Sequence, residues 1–312
     1  MSSTADPDRG GPLLAAIDIG GTSIKSALLL PGQRIGYSAR RPTPRGADAV
    51  LEAVFASADD LLATAVARFG GLPAALGVAS LGIVEEHTGR AVYSAAVGWR
   101  DVPLAELVRE RTGLPVGLGH DIRAAAHAES AAGAGKGASS CLFVAIGTGI
   151  GGAFVLDGRI VPGAHHRGAE IGHLRIRPGG RACGCGAHGC LEAHASASAI
   201  TRAGTAAAGT AVTAQDVIAA AGRGEAWAVP VWTEAVDALA DGLAACLCLF
   251  DPGVVVLGGG LSRAGEALLA PLRTALRPRY RLGEPPPLRV AAFADDSAVI
   301  GAGLIALELA TA

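Results

Sequence analysis

Three cysteines and one histidine of this 312-residue chain have the spacing of a metal site. Cys183, Cys185 and Cys190 lie close together in a glycine-rich loop, and His173 is just upstream. Thiolates and an imidazole suit tetrahedral Zn²⁺, and three cysteines with one histidine make a closed site of the structural type. The alternative is a chance crowding of unpaired cysteines, which would leave reactive thiols in one loop. The pattern therefore predicts a structural Zn²⁺ in the loop 173–190.

Two glutamates flank this loop. Glu170 lies three residues before His173, and Glu192 lies two residues after Cys190. A loop held by a metal is a rigid platform, so both carboxylates are candidates for ligand binding, and the second ring nitrogen of a zinc-bound His173 is available to a substrate hydroxyl. Ordinary solvated glutamates remain the alternative. Four other histidines have no assigned role in the sequence pattern and are expected at the surface: His165, His166, His188 and His194.

Two glycine-rich turns, within residues 18–25 and 147–152, are candidate anion sites. Glycines let successive backbone N–H groups converge on an anion, while threonine hydroxyls and a lysine add donors and charge. Each turn alone is equally consistent with a tight hairpin, but a pair at equivalent places favours one bound polyphosphate. The residues concerned are Asp18, Gly20, Gly21, Thr22 and Lys25 in the first turn and Gly147, Thr148 and Gly149 in the second.

The second turn also fits the dinucleotide pattern Gly-x-Gly-x-x-Gly. That fingerprint requires a helix directly after the turn, whereas residues 153–158 read as a strand and a hairpin, so a dehydrogenase is set aside. A third glycine run follows a buried strand and comprises Gly258, Gly259 and Gly260. It would let a flat purine ring lie against the backbone, although a simple strand-to-helix turn explains it as well.

Asp121 follows a predicted strand and opens a predicted helix. Helix capping is the structural explanation of an aspartate at this place. A general base is the functional explanation, since a carboxylate at a strand end of an α/β protein can meet a substrate hydroxyl. The residues alone leave both open.

The elements that would position these residues follow one order twice. The first half predicts strands at 13–19, 26–30, 34–40, 74–79 and 115–119 and helices at 47–69, 103–112 and after Asp121. The second half predicts strands at 141–146, 153–156, 159–161, 254–257 and 288–293 and helices at 231–250, 264–276 and 297–309. We therefore predict an α/β fold with a duplicated βββαβα unit, divided into residues 12–120 plus 298–312 and residues 121–297, with a cleft between the two domains.

Composition excludes several classes of protein. Hydrophobic residues make up 50% of the chain and charged residues 17%, which excludes a disordered chain. The 26 basic and 28 acidic residues give a net charge of -2, so a nucleic-acid partner is not expected. The opening residues lack a signal peptide, and Asp237 and Asp241 interrupt the most apolar helix, so we expect a soluble cytoplasmic protein without a membrane partner.

Residues 18–25, 168–173 and 183–192 together resemble the ROK family of bacterial sugar kinases and sugar-responsive repressors. The similarity covers essentially the whole chain. The zinc motif and the Gly-x-Glu-x-Gly-His segment are specific to the family, whereas the glycine turns are shared with the wider actin-like and hexokinase-like (ribonuclease H-like) fold. The resemblance implies ATP-dependent phosphorylation of the 6-hydroxyl of a hexose, with glucose as the leading substrate, by a homodimer or homotetramer.

The resemblance also implies roles for individual residues. Asp121 would be the catalytic base, and Asp18 would position Mg²⁺ through water. The sugar would meet Gly82, His120, Glu170, His173 and Glu192. The phosphates of ATP would be held by the two glycine turns, above all by Thr22, Lys25, Thr148 and Gly149, and the adenosine would lie against Gly259 and Gly260. Zinc would be bound by His173, Cys183, Cys185 and Cys190.

The chain departs from the family pattern near the sugar. His120 stands where kinases of the family usually have asparagine, residues 94–99 lack the usual asparagine before Trp99, and Ser80-Leu-Gly82 replaces the usual Pro-Gly. These changes leave the identity of the sugar open and favour an altered specificity over a lost pocket. The alternative function is a non-catalytic sugar sensor from the repressor branch. A repressor needs a DNA-binding segment before the first strand, and the intact Asp18, Thr22, Lys25 and Asp121 favour a kinase.

Overall fold

The computed structural model describes residues 11–312, and they form two compact units. Unit 1 consists of the described residues up to Ala128 together with Asp296–Ala312, and unit 2 is Glu129–Asp295. The opening stretch, in which no signal peptide is expected, lies for the most part outside the described residues. Between residues 11 and 312, no helix is both long enough and apolar enough to span a bilayer.

Unit 1 is built on a five-stranded sheet and a smaller three-stranded sheet. Its strands are β1 (Leu14–Ile19), β2 (Ser23–Leu30), β3 (Arg34–Pro42), β4 (Leu76–Ser80), β5 (Ile83–Glu85), β6 (Arg90–Ser94), β7 (Trp99–Val102) and β8 (Val116–His120). Its helices are α1 (Ala47–Phe69), α2 (Leu104–Thr112), the start of α3 (Asp121–Ala131) and the last helix of the chain, α9 (Ser297–Thr311). The main sheet has the order β3-β2-β1-β4-β8, in which β1, β4 and β8 are parallel and β2 and β3 are antiparallel.

The central strand β1 is buried on both faces because every one of its residues is apolar except Asp18. Ile17 and Ile19 face a core that includes buried residues of α1, whereas Leu14 and Ala16 face a second core that includes buried residues of α9. Gly77 in β4 allows α9 to approach the sheet closely, since a Cβ atom there would lie 1.8 Å from a backbone oxygen of that helix. The last helix of the chain therefore packs in unit 1.

Unit 2 repeats the order of unit 1. Its strands are β9 (Ser140–Ile146), β10 (Ile150–Leu156), β11 (Arg159–Ile160), β12 (Val254–Gly258) and β13 (Leu288–Val290), arranged as β11-β10-β9-β12-β13. Its helices are α4 (Leu191–Ala195), α5 (Ala197–Ala208), α6 (Ala214–Gly222), α7 (Ala228–Phe250) and α8 (Glu266–Leu276). The pairing senses match those of unit 1 strand for strand. The duplicated βββαβα prediction is confirmed.

Two parts of the fold differ from the predicted elements. The antiparallel meander β5–β7 was not predicted, because its strands are only three to five residues long and carry many polar residues. Residues between the zinc loop and α7 form the helices α4 to α6, which the sequence pattern did not predict.

The last predicted strand, 288–293, ends at Val290 for an identifiable reason. Beyond it, the backbone N–H groups of Ala292 and Phe293 donate to the carboxylate of Glu129 at 2.9 and 2.8 Å. Glu129 is completely buried, and a buried carboxylate needs such donors. These N–H groups are therefore bonded to a side chain, and the strand does not continue.

Candidate active site

The carboxyl ends of three parallel strands in unit 1 bring several candidate residues to one edge of the sheet. Ile19 of β1 is paired with Ser80 of β4, which is paired in turn with His120 of β8. Asp18, Gly82 and Asp121 lie within two residues of these positions. An open edge of this kind is where α/β proteins bind ligands.

The first glycine turn connects β1 to β2. The N–H of Gly20 donates to Ser23 O at 3.1 Å, and the hydroxyl of Thr43 donates to Gly20 O at 2.7 Å. Gly21 and Thr22 are not buried, so this side of the turn is accessible to a ligand. Sequence reasoning missed Thr43, because no local motif links it to a turn 23 residues earlier in the chain.

Asp18 is a buried carboxyl group beside this turn. Burial and the charge of Asp121 raise its pKa from 3.8 to about 7, while Lys25 and Arg40 act in the opposite direction. Lys25 is the direct partner of Asp18 in the pairing of β1 with β2. A further cation near Asp18 would favour its ionised form.

The raised pKa of Asp18 predicts that the free protein loses stability as the pH rises. Between pH 3.8 and about 7 the unfolded chain releases this proton while the folded chain keeps it, so the free energy of unfolding falls by up to about 1.4 kcal/mol per pH unit. Asp18→Asn removes the titrating group. In magnesium-free buffer we expect the melting temperature of this variant to exceed that of the wild type by several degrees at pH 8, with little difference near pH 4.

Thermal unfolding followed by circular dichroism at both pH values measures this difference. Asp48→Asn is the matched control, since Asp48 is an exposed carboxylate in the first turn of α1, and the same change there should give no comparable difference between the two pH values. An equal pH dependence in wild type and Asp18→Asn would contradict the prediction.

Asp121 is the first residue of α3, and its carboxylate is partly exposed. Its Oδ1 accepts a hydrogen bond from the N–H of Ile122 at 2.7 Å and lies 3.4 Å from Nε2 of His120. Both contacts fall on the same oxygen. Asp121 can therefore contact the helix terminus through Oδ1 and still act as a base, because Oδ2 can take the proton of a hydroxyl.

The second glycine turn lies in unit 2, between β9 and β10. Ile150, the residue after the turn, donates its N–H to Oε2 of Glu192 at 2.8 Å. A Cβ atom on Gly149 would lie 2.3 Å from the same oxygen. A side chain at position 149 would therefore displace the Glu192 carboxylate from its present place at the turn. Thr148, at the tip of the turn, is exposed.

The Gly-x-Glu-x-Gly-His segment also contacts Ile150. Gly172 lies in a short 3-10 helix, Ile171–His173, and a Cβ atom on it would be 1.9 Å from Ile150 O. Glu170 and His173, on either side of it, are exposed. The segment that carries these two residues and the side chain of Glu192 therefore meet at the start of β10.

The predicted zinc ligands are brought together. The ligand atoms of His173, Cys183, Cys185 and Cys190 all lie within 4.8 Å of one another. Cys183 Sγ is 3.7 Å from His173 Nδ1, and Cys185 Sγ is 3.7 Å from Cys190 Sγ. Zn–S bonds of about 2.3 Å in a tetrahedron place two sulfurs about 3.8 Å apart, so the residues fit a zinc ion.

The other three cysteines, Cys141, Cys246 and Cys248, lie in apolar strand or helix segments of the sequence, which predicts that they pack in the core. Cys141 and Cys246 are buried, and burial raises the pKa of each thiol to about 12, in keeping with the predicted role in core packing. Cys248 was also expected in the core, but it is exposed on α7. That expectation was wrong because α7 carries apolar residues on its exposed face as well as on its buried face near its C-terminal end. Cys248 lies on the exposed face.

An acidic face of α7 anchors the polypeptide around the zinc cluster. Arg181 pairs with Glu234 at 2.7 Å, and Arg177 pairs with Asp241 at 2.5 Å. His194 Nδ1 lies 3.1 Å from the same Glu234, and the side chain of His194 is buried, contrary to the expectation that it is at the surface. Glu234 and Asp241 are seven residues apart, a helical spacing from which this face could have been recognised.

The glycines Gly82, Gly258 and Gly259 have packing reasons of their own. A Cβ atom on Gly82 would lie 2.3 Å from Tyr93 O in the meander, and one on Gly259 would lie 2.5 Å from Ile146 O. Both have positive φ angles, which favour glycine. Gly258 packs against the ring of Phe143, whereas a Cβ atom on Gly260 would meet no atom within 4 Å. Of the run 258–260, only Gly260 would accept a Cβ atom without a close contact.

Comparison with known proteins gives consistent matches. A sequence model of the ROK family matches residues 14–309. A glucokinase of Halalkalibacterium halodurans is 33% identical over 305 residues, which cover 92% of each chain. The ROK hexokinase of Thermus thermophilus superposes with a TM-score of 0.84 at 36% identity, covering 96% of this chain and 100% of the other.

Two further solved structures are similar. A ROK family glucokinase from Streptomyces griseus, in complex with glucose and AMPPNP, has a TM-score of 0.83 at 30% identity and covers 95% of this chain and 99% of its own. A ROK family transcriptional regulator, a homologue of the E. coli MLC protein, has a TM-score of 0.85 at 26% identity. The match covers 96% of this chain and 78% of the regulator.

Proposed function

Because the chain belongs to the ROK family and is a sugar kinase, we propose that it transfers the γ-phosphoryl group of ATP to the 6-hydroxyl of a hexose, with glucose as the leading substrate. The observation that carries the proposal is the partly exposed carboxylate of Asp121 at the strand edge that also holds Asp18 and the first glycine turn. The glucose and AMPPNP in the Streptomyces griseus structure support the choice of a hexose and a nucleotide.

In this proposal Asp121 is the general base. Its Oδ1 is already engaged by the N–H of Ile122 and faces His120, so Oδ2 takes the proton of the sugar hydroxyl. The oxygen that loses the proton would attack the γ-phosphorus, the bond from that phosphorus to the β,γ-bridging oxygen would break, and ADP would leave. A positioned carboxylate contributes about 10² to 10⁴ in rate.

The residues that would hold the nucleotide are those of the glycine runs. ATP would supply the phosphoryl group, and Mg²⁺ would offset its charge. Thr22 and Lys25 of the first turn and Thr148 and Gly149 of the second would bind the phosphates, and Asp18 would hold Mg²⁺ through water. The fit is supported by the accessible Thr22 and Thr148 and by the raised pKa of Asp18, which a nearby cation would lower. Gly259 and Gly260 would lie beside the adenosine.

The sugar would be bound from several segments. The carboxylates of Glu170 and Glu192 would accept hydrogen bonds from its hydroxyls, and the imidazole of His173 would hydrogen-bond to a hydroxyl. Gly82 and His120 would contact the sugar at the strand edge of unit 1. A zinc ion held by His173, Cys183, Cys185 and Cys190 would fix the Glu170 to Glu192 region, as the sulfur spacing supports. We further propose a homodimer or homotetramer located in the cytoplasm.

A sugar sensor is the second candidate. It is favoured by the likeness to the transcriptional regulator and by His120, which replaces the asparagine usual in the kinases. A sensor would bind a sugar without consuming ATP.

A coupled assay of ADP formation separates these candidates. The protein is supplied with ATP, Mg²⁺ and each member of a panel of hexoses and N-acetylhexosamines, and sugar binding is measured in parallel by calorimetry. We expect ADP formation with at least one neutral hexose and strongest activity on glucose or one of its epimers. Sugar binding without ADP formation across the panel would establish the sensor instead.

A further inference from the structure

The turn between β8 and α3, which carries His120 and Asp121, is held by a side chain from the meander. Oε1 of Glu86, the residue after β5, accepts a hydrogen bond from the backbone N–H of His120 at 3.3 Å. The same oxygen accepts a hydrogen bond from Nε of Arg123 at 2.9 Å. One carboxylate oxygen therefore contacts the residue before Asp121 and the residue two positions after it.

Arg123 is buried in this arrangement. Its side chain is only 4% exposed, against 31% for Glu86, and it also donates to the backbone oxygen of Val84 at 3.4 Å. A buried guanidinium needs a carboxylate and further acceptors, because leaving its charge unpaired in the interior is strongly unfavourable. Glu86 and Val84 both belong to the segment that begins the meander, so Arg123 ties the first turn of α3 to that segment.

The consequence concerns the two side chains between these contacts. With the backbone of His120 fixed on one side of Asp121 and the side chain of Arg123 fixed on the other, the imidazole lies 3.4 Å from Oδ1 of Asp121. Oδ1 also accepts the hydrogen bond from Ile122 N–H, so Oδ2 is the oxygen without either of these contacts.

We infer that Glu86, together with Arg123, is a positioning residue that sets the orientation of the Asp121 carboxylate and the His120 imidazole. This inference rests on the proposed function, because it assigns the pair a role in catalysis by Asp121. The segment that begins the meander then has a role beyond the three-stranded sheet, because its Glu86 carboxylate orients the turn between β8 and α3.

Glu86→Ala tests the inference, and Glu85→Ala is the matched control. Glu85 is the neighbouring residue and accepts a hydrogen bond from Thr88, and it contacts neither His120 nor Arg123 in the described hydrogen bonds. We expect Glu86→Ala to lower kcat about 10- to 100-fold, the range expected when a reacting group is displaced by about 1 Å, with a smaller change in KM for the sugar. Glu86→Gln keeps an acceptor for the His120 N–H and for Nε of Arg123 but removes the negative charge beside Arg123, so it should recover only part of the lost kcat.

Two further readouts separate positioning from a loss of structure. Hydrogen exchange of the His120 amide should become faster in Glu86→Ala than in the wild type and in Glu85→Ala, and this readout does not depend on activity. The double variant of Glu86→Ala and Arg123→Ala should lower kcat by no more than the worse single variant, because the two side chains act as one unit. Should Arg123→Ala fail to fold, Glu86→Ala and Glu86→Gln decide the matter.

The outcomes are distinct from those for the proposed function. Wild-type protein that phosphorylates no hexose would overturn the proposed function and this role with it, even if the amide exchange changed. In an active wild type, unchanged kcat in Glu86→Ala would overturn the inference. So would a lower kcat without faster exchange at His120, since the effect would then not act through that turn.

Discussion

Asp121→Asn is expected to lower kcat at least about a hundredfold while leaving the fold and the affinity for sugar nearly unchanged. Asparagine has the same shape as aspartate, and its side-chain oxygen can still accept the hydrogen bond from the N–H of Ile122, which the wild type makes at 2.7 Å. It cannot take a proton from a hydroxyl at neutral pH. The change therefore removes the base and keeps the local structure of the helix terminus.

Steady-state kinetics with the best sugar of the panel, together with calorimetric sugar binding, would measure both effects. Glu110→Gln is a suitable control, because Glu110 is an exposed carboxylate in α2 of the same unit. Turnover close to that of the wild type in Asp121→Asn would remove Asp121 from the role of base. Loss of the folded state would be detected by circular dichroism and would call for Asp121→Ser as a second variant.

The second large effect is expected from Cys185→Ser. Replacement of one thiolate opens the site of four ligands, so we expect the bound zinc to fall from about one ion per chain to a small fraction of that. Sugar affinity should fall about 10- to 100-fold, the range typical when residues that orient the ligating side chains of a site are lost. The physical reason is that the loop between His173 and Cys190 joins the segments that carry Glu170 and Glu192.

Cys248→Ser is the matched control for this experiment. Cys248 is an exposed cysteine outside the cluster, so the same chemical change should leave zinc content and sugar binding unaffected. Metal analysis of protein purified without added zinc, followed by sugar titration, gives both quantities. Absence of zinc from the native protein, or unchanged sugar affinity in a zinc-free Cys185→Ser, would contradict the role assigned to the loop.

Much of the fold follows from patterns that are local in the sequence. Helix α1 begins and ends where its apolar spacing and Gly70 indicate, and Gly70 adopts the left-handed conformation typical of a helix end. The repeated order of strands predicts the duplicated sheets, since strands with the same sequence of connections pair in the same order. The cysteine spacing likewise predicts a cluster, because ligands close together in one loop have few other arrangements.

The parts that could not be predicted depend on contacts between distant segments. Thr43 supports the first glycine turn, and Glu86 reaches the turn at His120 from 34 residues away. Glu129 stops a strand by binding backbone groups 163 and 164 residues later. Such side chains carry no local signal, since a glutamate that will be buried and a glutamate that will be solvated look alike in a single sequence.

The proposed reaction is the transfer of the γ-phosphoryl group of ATP to the 6-hydroxyl of a hexose. Its most direct test is the identity of the product, determined by ³¹P NMR after incubation of the wild-type protein with ATP, Mg²⁺ and the preferred hexose, and in parallel with the 6-deoxy form of that sugar. We expect a phosphomonoester coupled to the protons at carbon 6 of the hexose and no sugar phosphate from the 6-deoxy form. A phosphate at another carbon, or no sugar phosphate from any hexose, would contradict it.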